Sequence, residues 1–384
     1  MRVLIAPLNW GLGHATRCLA VSRSFRERGV DVAWASDGRA LALLRRERPT
    51  DRHYPLPGYR IRHRHGSVIA NGLQLAPGMV RGIRAERAAL DALRRREDFD
   101  FILSDNRYGC RIPGVPGAML CHQVELPLQP RLVRLFPNAI HQFLLRRFDE
   151  VVVPDYPPPH GLAGSMSRPL GGSRTTYVGP LSRLRPGHGD AGSLGHPERP
   201  SRLAVILSGP EPARTRFEAR VLDALLTEQS LGSGSIGAVR LDGIDVVRGL
   251  PTGDDGRNAG RLEAARRRGV RIIDFATGDR LVGLLAEAGA IVTRPGYTTV
   301  MDLHLLGRRA VFVPTPGQPE QRVLAAAAQA NGTGIAAEEE GFRLRDVLAR
   351  LSQLESRQTP PPAPRNDQLL EGWIDSVVAR ASGG

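Results

Sequence analysis

MRVLIAPLNWGLGHATRCLAVSRSFRERGVDVAWA, Met1 to Ala35, is the stretch that decides the architecture of this chain. Val3 to Ala6 is a short apolar run of strand length, and the loop Leu8 to His14 follows it with two glycines. From Ala15 to about Arg28, Cys18, Leu19, Ser22 and Phe25 recur on one helical face. Gly29 ends that helix, and Val30 to Ala35 reads as a second strand. Strand, loop, helix and strand in this order make a βαβ unit, which commits the chain to a parallel sheet.

Outward from this unit the same alternation continues. Phe101 to Ser104, Gly117 to Cys121 and Glu150 to Pro154 are further strand candidates. Arg185 to Pro200, RPGHGDAGSLGHPERP, has no apolar periodicity and reads as a linker. A second α/β series begins at Leu203 to Leu207, which ends at Ser208-Gly209-Pro210, and continues with Arg271 to Asp274, Ala290 to Thr293 and Ala310 to Val313. A chain of 384 residues exceeds one ordinary domain. The expectation is therefore an α/β protein of two Rossmann-like domains, 1–184 and 201–357, joined by a linker at 185–200. Residues 358–384 combine a Pro-rich segment with a helix whose Leu369, Leu370, Trp373, Ile374, Val377 and Val378 form one stripe. That stripe needs a partner surface, and a return to the first domain is expected.

Composition narrows the class. Apolar residues make up 41% and charged residues 24%, as in a globular protein. No apolar run is long enough to span a membrane, and the N-terminal apolar segment runs into a Gly-rich loop instead of a cleavage site, so a cytoplasmic protein is expected. Cys18, Cys110 and Cys121 lack metal-ligand spacing and suggest no disulfide framework. The formal charge of +14 rests wholly on arginine, since the chain has no lysine. Such a field suits nucleotide diphosphates or an anionic membrane face. Scattered arginines with only 5% aromatic residues argue against a nucleic-acid module. Leu73 to Arg96 mixes apolar and basic residues, as either a packed helix or one facing an acceptor or the inner face of the membrane.

Ligands of open parallel sheets bind beyond the carboxyl ends of strands, so four strand-end loops carry the functional reading. In NWGLGHATR, Asn9 to Arg17, Gly11 and Gly13 let the backbone turn tightly, and His14 at the loop-to-helix junction can exchange protons near neutral pH. A helix cap is the plainer role for it. In SDNRYG, Asp105 and Arg107 can orient an acceptor hydroxyl or anion, although Asp-Asn also makes turns. In CHQVELP, His122, Gln123 and Glu125 follow another strand of the same half. The fourth loop, TRPGYTTVMDLHLLGRRAVFVPTPGQPEQRVLA, Thr293 to Ala325, is the most specific. Arg294, Gly296, Thr298 and Thr299 bring a guanidinium, amides and hydroxyls to the start of a helix, which suits a diphosphate. Asp302, one turn on, can accept from ribose hydroxyls or simply favour the helix dipole. Gln318, Glu320 and Gln321 offer groups for sugar hydroxyls.

Thr293 to Ala325 resembles the C-terminal signature of glycosyltransferase family 28, typified by the N-acetylglucosaminyltransferase that completes the lipid-linked peptidoglycan precursor. GLGHATR resembles that family's Gly-rich N-terminal loop, and MLCHQ its second acceptor-side loop. The resemblance implies a GT-B fold, two Rossmann-like domains facing a central cleft, and a UDP-sugar donor, N-acetylglucosamine being one candidate sugar. It places Arg294, Gly296, Thr298 and Thr299 on the diphosphate, Asp302 where relatives have a ribose-binding Glu, and Gln321 on the donor sugar with Gln318 and Glu320. Phe275 corresponds to the position against uracil, Ser208 and Gly209 to the hinge-side donor loop, and Gly13 also joins the donor set. Gly11, Thr16, Arg17, Arg107, His122, Gln123 and Glu125 fall on the acceptor side. Glu320 stands where many relatives have His, Ala325 where they often have Asn, and Pro295 follows the key Arg.

The implied chemistry is inverting and free of metal and cofactor, with His14 as general base or charge stabiliser and Asp105 second in that role. The acceptor is unassigned, with a lipid-linked or cell-envelope molecule in view. Two alternatives stay open: a UDP-sugar hydrolase resembling the pseudaminic acid pathway enzyme, which shares the G-x-G-H-x-x-R loop, and a non-catalytic nucleotide-sugar-binding protein.

Overall fold

The structure, a computed structural model, describes residues 1–10, 12–59, 68–128, 131–169, 174–182, 201–228, 234–236, 239–250, 256–276, 278–357 and 366–382. Gly11, the linker expected at 185–200 and the Pro-rich run 358–365 lie outside these residues. The chain divides into two units, Met1–Arg183 with Pro364–Gly384, and Leu184–Ala363.

In the first unit the elements run β1 (Arg2–Pro7), α1 (Gly13–Arg26), β2 (Asp31–Ser36), α2 (Gly38–Glu47), β3 (Arg52–Pro55), α3 (Val68–Arg94), β4 (Phe101–Asp105), β5 (Gly117–Leu120), α4 (Arg131–Leu145), β6 (Glu150–Val153) and β7 (Thr175–Tyr177). The strands form one sheet in the order β3-β2-β1-β4-β5-β6-β7, parallel at every pairing. Side chains alternate across a strand, and β1 feeds two cores accordingly. Val3 and Ile5 pack with Cys18 and Phe25 of α1, while Leu4 and Ala6 pack with Leu90 of α3. This two-sided burial is why β1 reads as an unbroken apolar run instead of an alternating one.

In the second unit the order is β8 (Ser201–Ile206), α5 (Ala213–Thr227), β9 (Gly234–Ile236), β10 (Val239–Val247), α6 (Ala259–Arg267), β11 (Val270–Ile273), α7 (Gly278–Glu287), β12 (Ala288–Thr293), α8 (Tyr297–Leu305), β13 (Ala310–Phe312), α9 (Pro319–Ala330), β14 (Gly334–Ala336) and α10 (Leu344–Arg357). The sheet order is β11-β10-β8-β12-β13-β14, with β9 antiparallel on β10. β10 is absent from the strands expected above because Asp242 and Asp245 interrupt its apolar run. Asp245 is nonetheless 1% exposed. It accepts from Arg202 at 2.6 and 2.7 Å and from Arg271 at 2.5 and 2.9 Å, arginines of the two flanking strands. A buried charge is tolerated when it is paired in this way.

The last helix, α11 (Asn366–Ser382), belongs to the first unit. Its Leu370, Trp373, Ile374 and Val377 complete the core beneath α1. The Trp373 ring lies edge-on to Phe25 at 6.0 Å and to Phe101 at 6.2 Å, and its indole N–H donates to Glu150. Among the described residues no helix is long and apolar enough to cross a membrane.

In both units the first strand lies beside the fourth strand of the doubly wound run, β1 by β4 and β8 by β12. The connections turn to opposite sides there, which opens a crevice at the strand ends.

Candidate functional site

At the switch point of the first unit the loops after β1 and β4 meet. His14 is the second residue of α1, Asp105 the last of β4. The Leu8 amide donates to the Asp105 carbonyl at 3.0 Å, which registers the two loops against each other. His14 Nδ1 then lies 2.9 Å from Asp105 Oδ1, with the His14 side chain 12% exposed and that of Asp105 fully buried. One turn along α1, Arg17 donates through Nε to Asp105 Oδ2 at 2.8 Å and through Nη2 to Oδ1. Arg17 Nη1 also donates to His122 Nδ1 at 2.9 Å, and the His14 and His122 rings stand 6.2 Å apart. His122 Nδ1 is thus an acceptor, which puts the proton of its neutral ring on Nε2.

Burial alone would raise the Asp105 carboxyl. The Arg17 charge, followed by His14, outweighs that and holds it well below the usual carboxylate range. His14 Nδ1 stands 2.9 Å from both Asp105 Oδ1 and Arg17 Nη2; an ionised carboxylate only accepts, so the tautomer with its proton on Nδ1 is the one that bonds Asp105. Cys18 Sγ adds a donor at 3.4 Å to Asp105, and burial pushes this thiol far above its ordinary value, so it is inert.

The remaining acceptor-side residues divide by what they touch. Thr16 donates its hydroxyl to the Gly13 carbonyl at 3.0 Å inside the first turn of α1 and is buried. Arg107, expected to face a ligand, is instead fully buried. It donates to the Pro7 carbonyl at 3.0 Å, to Glu86 of α3 at 2.8 Å and to Asp37. It braces the strand ends, because two acids and two carbonyls, those of Pro7 and of Pro57 at 3.3 Å, satisfy it from within. Glu86 and Asp37, which hold it, carry no motif signal. The loop after β5 is held from below by α4: Asn138 brackets the Leu126 amide and carbonyl at 2.8 and 3.3 Å, His141 Nε2 donates to the Gln123 carbonyl at 2.7 Å, and Gln142 donates to the Val124 carbonyl at 2.8 Å. Tyr108 donates to His141 Nδ1 at 3.0 Å and so ties in the loop after β4. Gln123 and Glu125 are half-buried.

In the second unit, Ser208 and Gly209 follow β8 and Arg294 follows β12. Gly209 has φ +113°, open to glycine alone without strain. Arg294, expected to grip a diphosphate, is turned inward and 1% exposed. Its Nη1 donates to the Val313 and Pro314 carbonyls at 2.9 and 3.0 Å, its Nη2 to Glu339 at 2.5 Å, and its guanidinium lies 3.9 Å over the Phe217 ring. It therefore braces the loops after β12 and β13. The sequence signal for this role was Glu339, far along the chain. Gly296 caps α8 with no side-chain acceptor, and half-buried Thr298 and Thr299 lie in its first turn. Asp302 sits one turn further along, half-buried. Gln321 Oε1 accepts from the Thr315 amide at 2.7 Å and shapes the loop before α9, whose N-terminal end carries Gln318 and Glu320. Phe275 follows β11, half-buried.

Residues 257–371 match the glycosyltransferase family 28 C-terminal domain. Across 378 residues the chain is 22% identical to a protein of Methanopyrus kandleri described as an uncharacterised glycosyltransferase, covering 93% of this chain and 100% of that one. A glycosyltransferase of Streptomyces nogalater, SnogD, superposes with a TM-score of 0.64 at 17% identity, covering 99% of both chains. MurG of Acinetobacter baumannii superposes with a TM-score of 0.56 at 15% identity, covering 98% of this chain and 99% of that one. The chain is a glycosyltransferase with the GT-B fold, and its second unit carries most of the match to the family 28 C-terminal domain.

Proposed function

We propose that this glycosyltransferase moves the sugar of a UDP-sugar onto an acceptor hydroxyl with inversion at the anomeric carbon and without a bound metal. The observation that carries the reading is His14, backed by a buried, ionised Asp105 at the switch point of its sheet. With its Nδ1 proton directed to Asp105, the neutral ring keeps a lone pair on Nε2. The acceptor oxygen attacks the anomeric carbon, its proton passes to Nε2, and the bond to the diphosphate breaks with the electron pair leaving on UDP. Asp105 then stabilises the imidazolium, the part a buried carboxylate plays beside a catalytic histidine.

In the second unit the amides and hydroxyls of Thr298 and Thr299 at the start of α8 meet the diphosphate, with Gly296 permitting its approach. Asp302 accepts from ribose, Phe275 lies against uracil, and Ser208, Gly209, Gln318, Glu320 and Gln321 serve the donor. Arg294 acts on this site through the loops it holds. Such an enzyme works on the cytoplasmic pool of nucleotide sugars.

Release of UDP from a panel of UDP-sugars, with and without an extract of cell-envelope lipids, tests the reading. Acceptor-dependent release should fall by roughly 10²- to 10⁴-fold in His14→Gln, the usual contribution of a general base. Near-normal turnover in that variant refutes the role of His14. Release of equal speed without any acceptor refutes transfer in favour of hydrolysis.

A further inference from the structure

Buried arginines recur behind the strand ends of this protein, and acids close them. The acids that hold Arg107 and Arg294 from α3 and from the loop after β14, Glu86 and Glu339, are 0% and 6% exposed in their side chains, so they are spent on the interior. Arg248, which directly follows β10, is also fully buried. Its Nε and Nη2 donate to the two carboxylate oxygens of Glu218 on α5 at 2.6 and 3.3 Å. Glu218 is fully buried in turn, and it accepts from Arg214 at 3.2 Å and from Asn258 at 2.8 Å. Arg248 thus has its counter-ion within the core. Its Nη1 nevertheless reaches forward, to Asp274 Oδ1 at 3.0 Å. Asp274 differs from the other acids in being 46% exposed. Among the described residues its second carboxylate oxygen has no partner.

The backbone fixes Asp274 as firmly as Arg248 fixes its side chain. Asp274 is the first residue after β11; the Arg248 amide donates to the Ile273 carbonyl and the Leu250 amide to the Asp274 carbonyl, both at 2.8 Å. The Leu207 amide, donating to the Val247 carbonyl at 2.8 Å, ties the end of β8 to the same loops. These are carboxyl ends of parallel strands, the edge at which such sheets bind their ligands. Phe275, the residue set against uracil in the reading above, comes next in the chain. An acceptor whose position is settled before the ligand arrives loses little freedom on binding it.

We propose that Asp274 reads the base of the donor, the oxygen that Arg248 leaves open accepting the N3–H of uracil; this rests on the UDP-sugar reading above. A carboxylate only accepts. Uracil presents N3–H between two carbonyl oxygens, whereas cytosine presents a lone pair at N3, which a carboxylate repels. Arg248 makes the choice sharper still. Because its Nη1 only donates, an asparagine in place of Asp274 must turn its carbonyl oxygen to Arg248 and its NH2 group to the base. That group opposes the N3–H of uracil and suits the bare N3 of cytosine.

The test is calorimetric titration of the full chain with UDP, with 3-methyluridine diphosphate and with CDP. Wild type should bind UDP, and should bind the methylated analogue and CDP at least ~10-fold more weakly, as a site built around one hydrogen bond treats ligands that lack it. Asp274→Asn should weaken UDP roughly 10- to 100-fold and bind CDP more tightly than UDP. The methylated analogue tests the wild-type protein directly, so the result does not depend on the variant folding. Equal binding of UDP and 3-methyluridine diphosphate by wild type, or a folded Asp274→Asn that keeps the wild-type preference for UDP over CDP, overturns the role of Asp274 and leaves the UDP-sugar reading standing. Absence of UDP binding to wild type overturns both.

Discussion

Asp105→Asn separates what this residue does for the fold from what it does for His14. The side chain is fully buried and serves Arg17 through two bonds and His14 through one. Asparagine keeps the shape but removes the charge, which leaves the Arg17 guanidinium, itself 2% exposed, without its counter-ion. Breaking a buried pair costs about 3–5 kcal/mol, and the amide oxygen can still accept from Arg17, so the low end, about 3 kcal/mol, is expected. For a unit of this size that lowers the melting temperature by roughly 6–12 °C. The loss depends on pH with a definite sign. The carboxyl is depressed in the folded state, so its stabilisation is complete above the unfolded value of about 4 and is lost as pH falls below it. Urea unfolding should therefore show a full gap between wild type and variant at pH 6 to 7 that narrows below about pH 4.

The same variant reports on chemistry through a double-mutant cycle. If Asp105 acts by fixing the His14 proton on Nδ1 and steadying the imidazolium, Asp105→Asn alone should slow turnover by roughly 10²- to 10⁴-fold. In a His14→Gln background the substitution should cost almost nothing further in turnover while still lowering the melting temperature. Initial rates of UDP release at a temperature where all four proteins are folded give the cycle. A rate loss that simply multiplies in the double variant would refute the argument, because the carboxylate would then act independently of the imidazole.

Two further outcomes follow from buried groups of the second unit. Glu339→Gln should lower the melting temperature and raise the UDP concentration needed to restore it, because Arg294 then lets go of the loops it braces; thermal shift with UDP checks this, and unchanged melting would refute the bracing role. His304 is held neutral by burial with its pKa down at about 4, so stability should fall as pH drops from about 6.5 towards 4, and His304→Gln should flatten that slope in urea titrations across the range.

Much of the fold was legible because strands buried on both faces announce themselves. β1, β4, β12 and β13 carry unbroken apolar runs, Val3 to Ala6, Phe101 to Leu103, Ala290 to Val292 and Ala310 to Phe312, and glycine punctuates the helices that follow β1 and β12. β10 and α4 escaped for opposite reasons. β10 carries Asp245 into the core, a position intelligible only once Arg202 and Arg271 are seen on the flanking strands. α4 turns Asn138, His141 and Gln142 to the protein beside Leu144 and Leu145, and leaves Leu135, Phe136, Ile140 and Phe143 exposed, so its apolar periodicity points to the wrong face.

The candidate site divides along the same line. His14 and Asp105 each stood out as polar groups at strand ends, yet their contact spans 91 residues of sequence and exists because β4 is laid beside β1. Arg107 and Arg294 stood out for the same reason and turned inward. Chemistry at a strand end is therefore readable from residue type and position, but direction is not. A guanidinium there faces a ligand unless an acid from another element reaches it first. Glu86 and Glu339 are such acids, brought by α3 and by the loop after β14. Once paired in the interior, Arg107 and the two terminal nitrogens of Arg294 are committed to protein acceptors, with Arg294 Nε buried and unpartnered, and each arginine acts on a substrate by fixing the backbone around it.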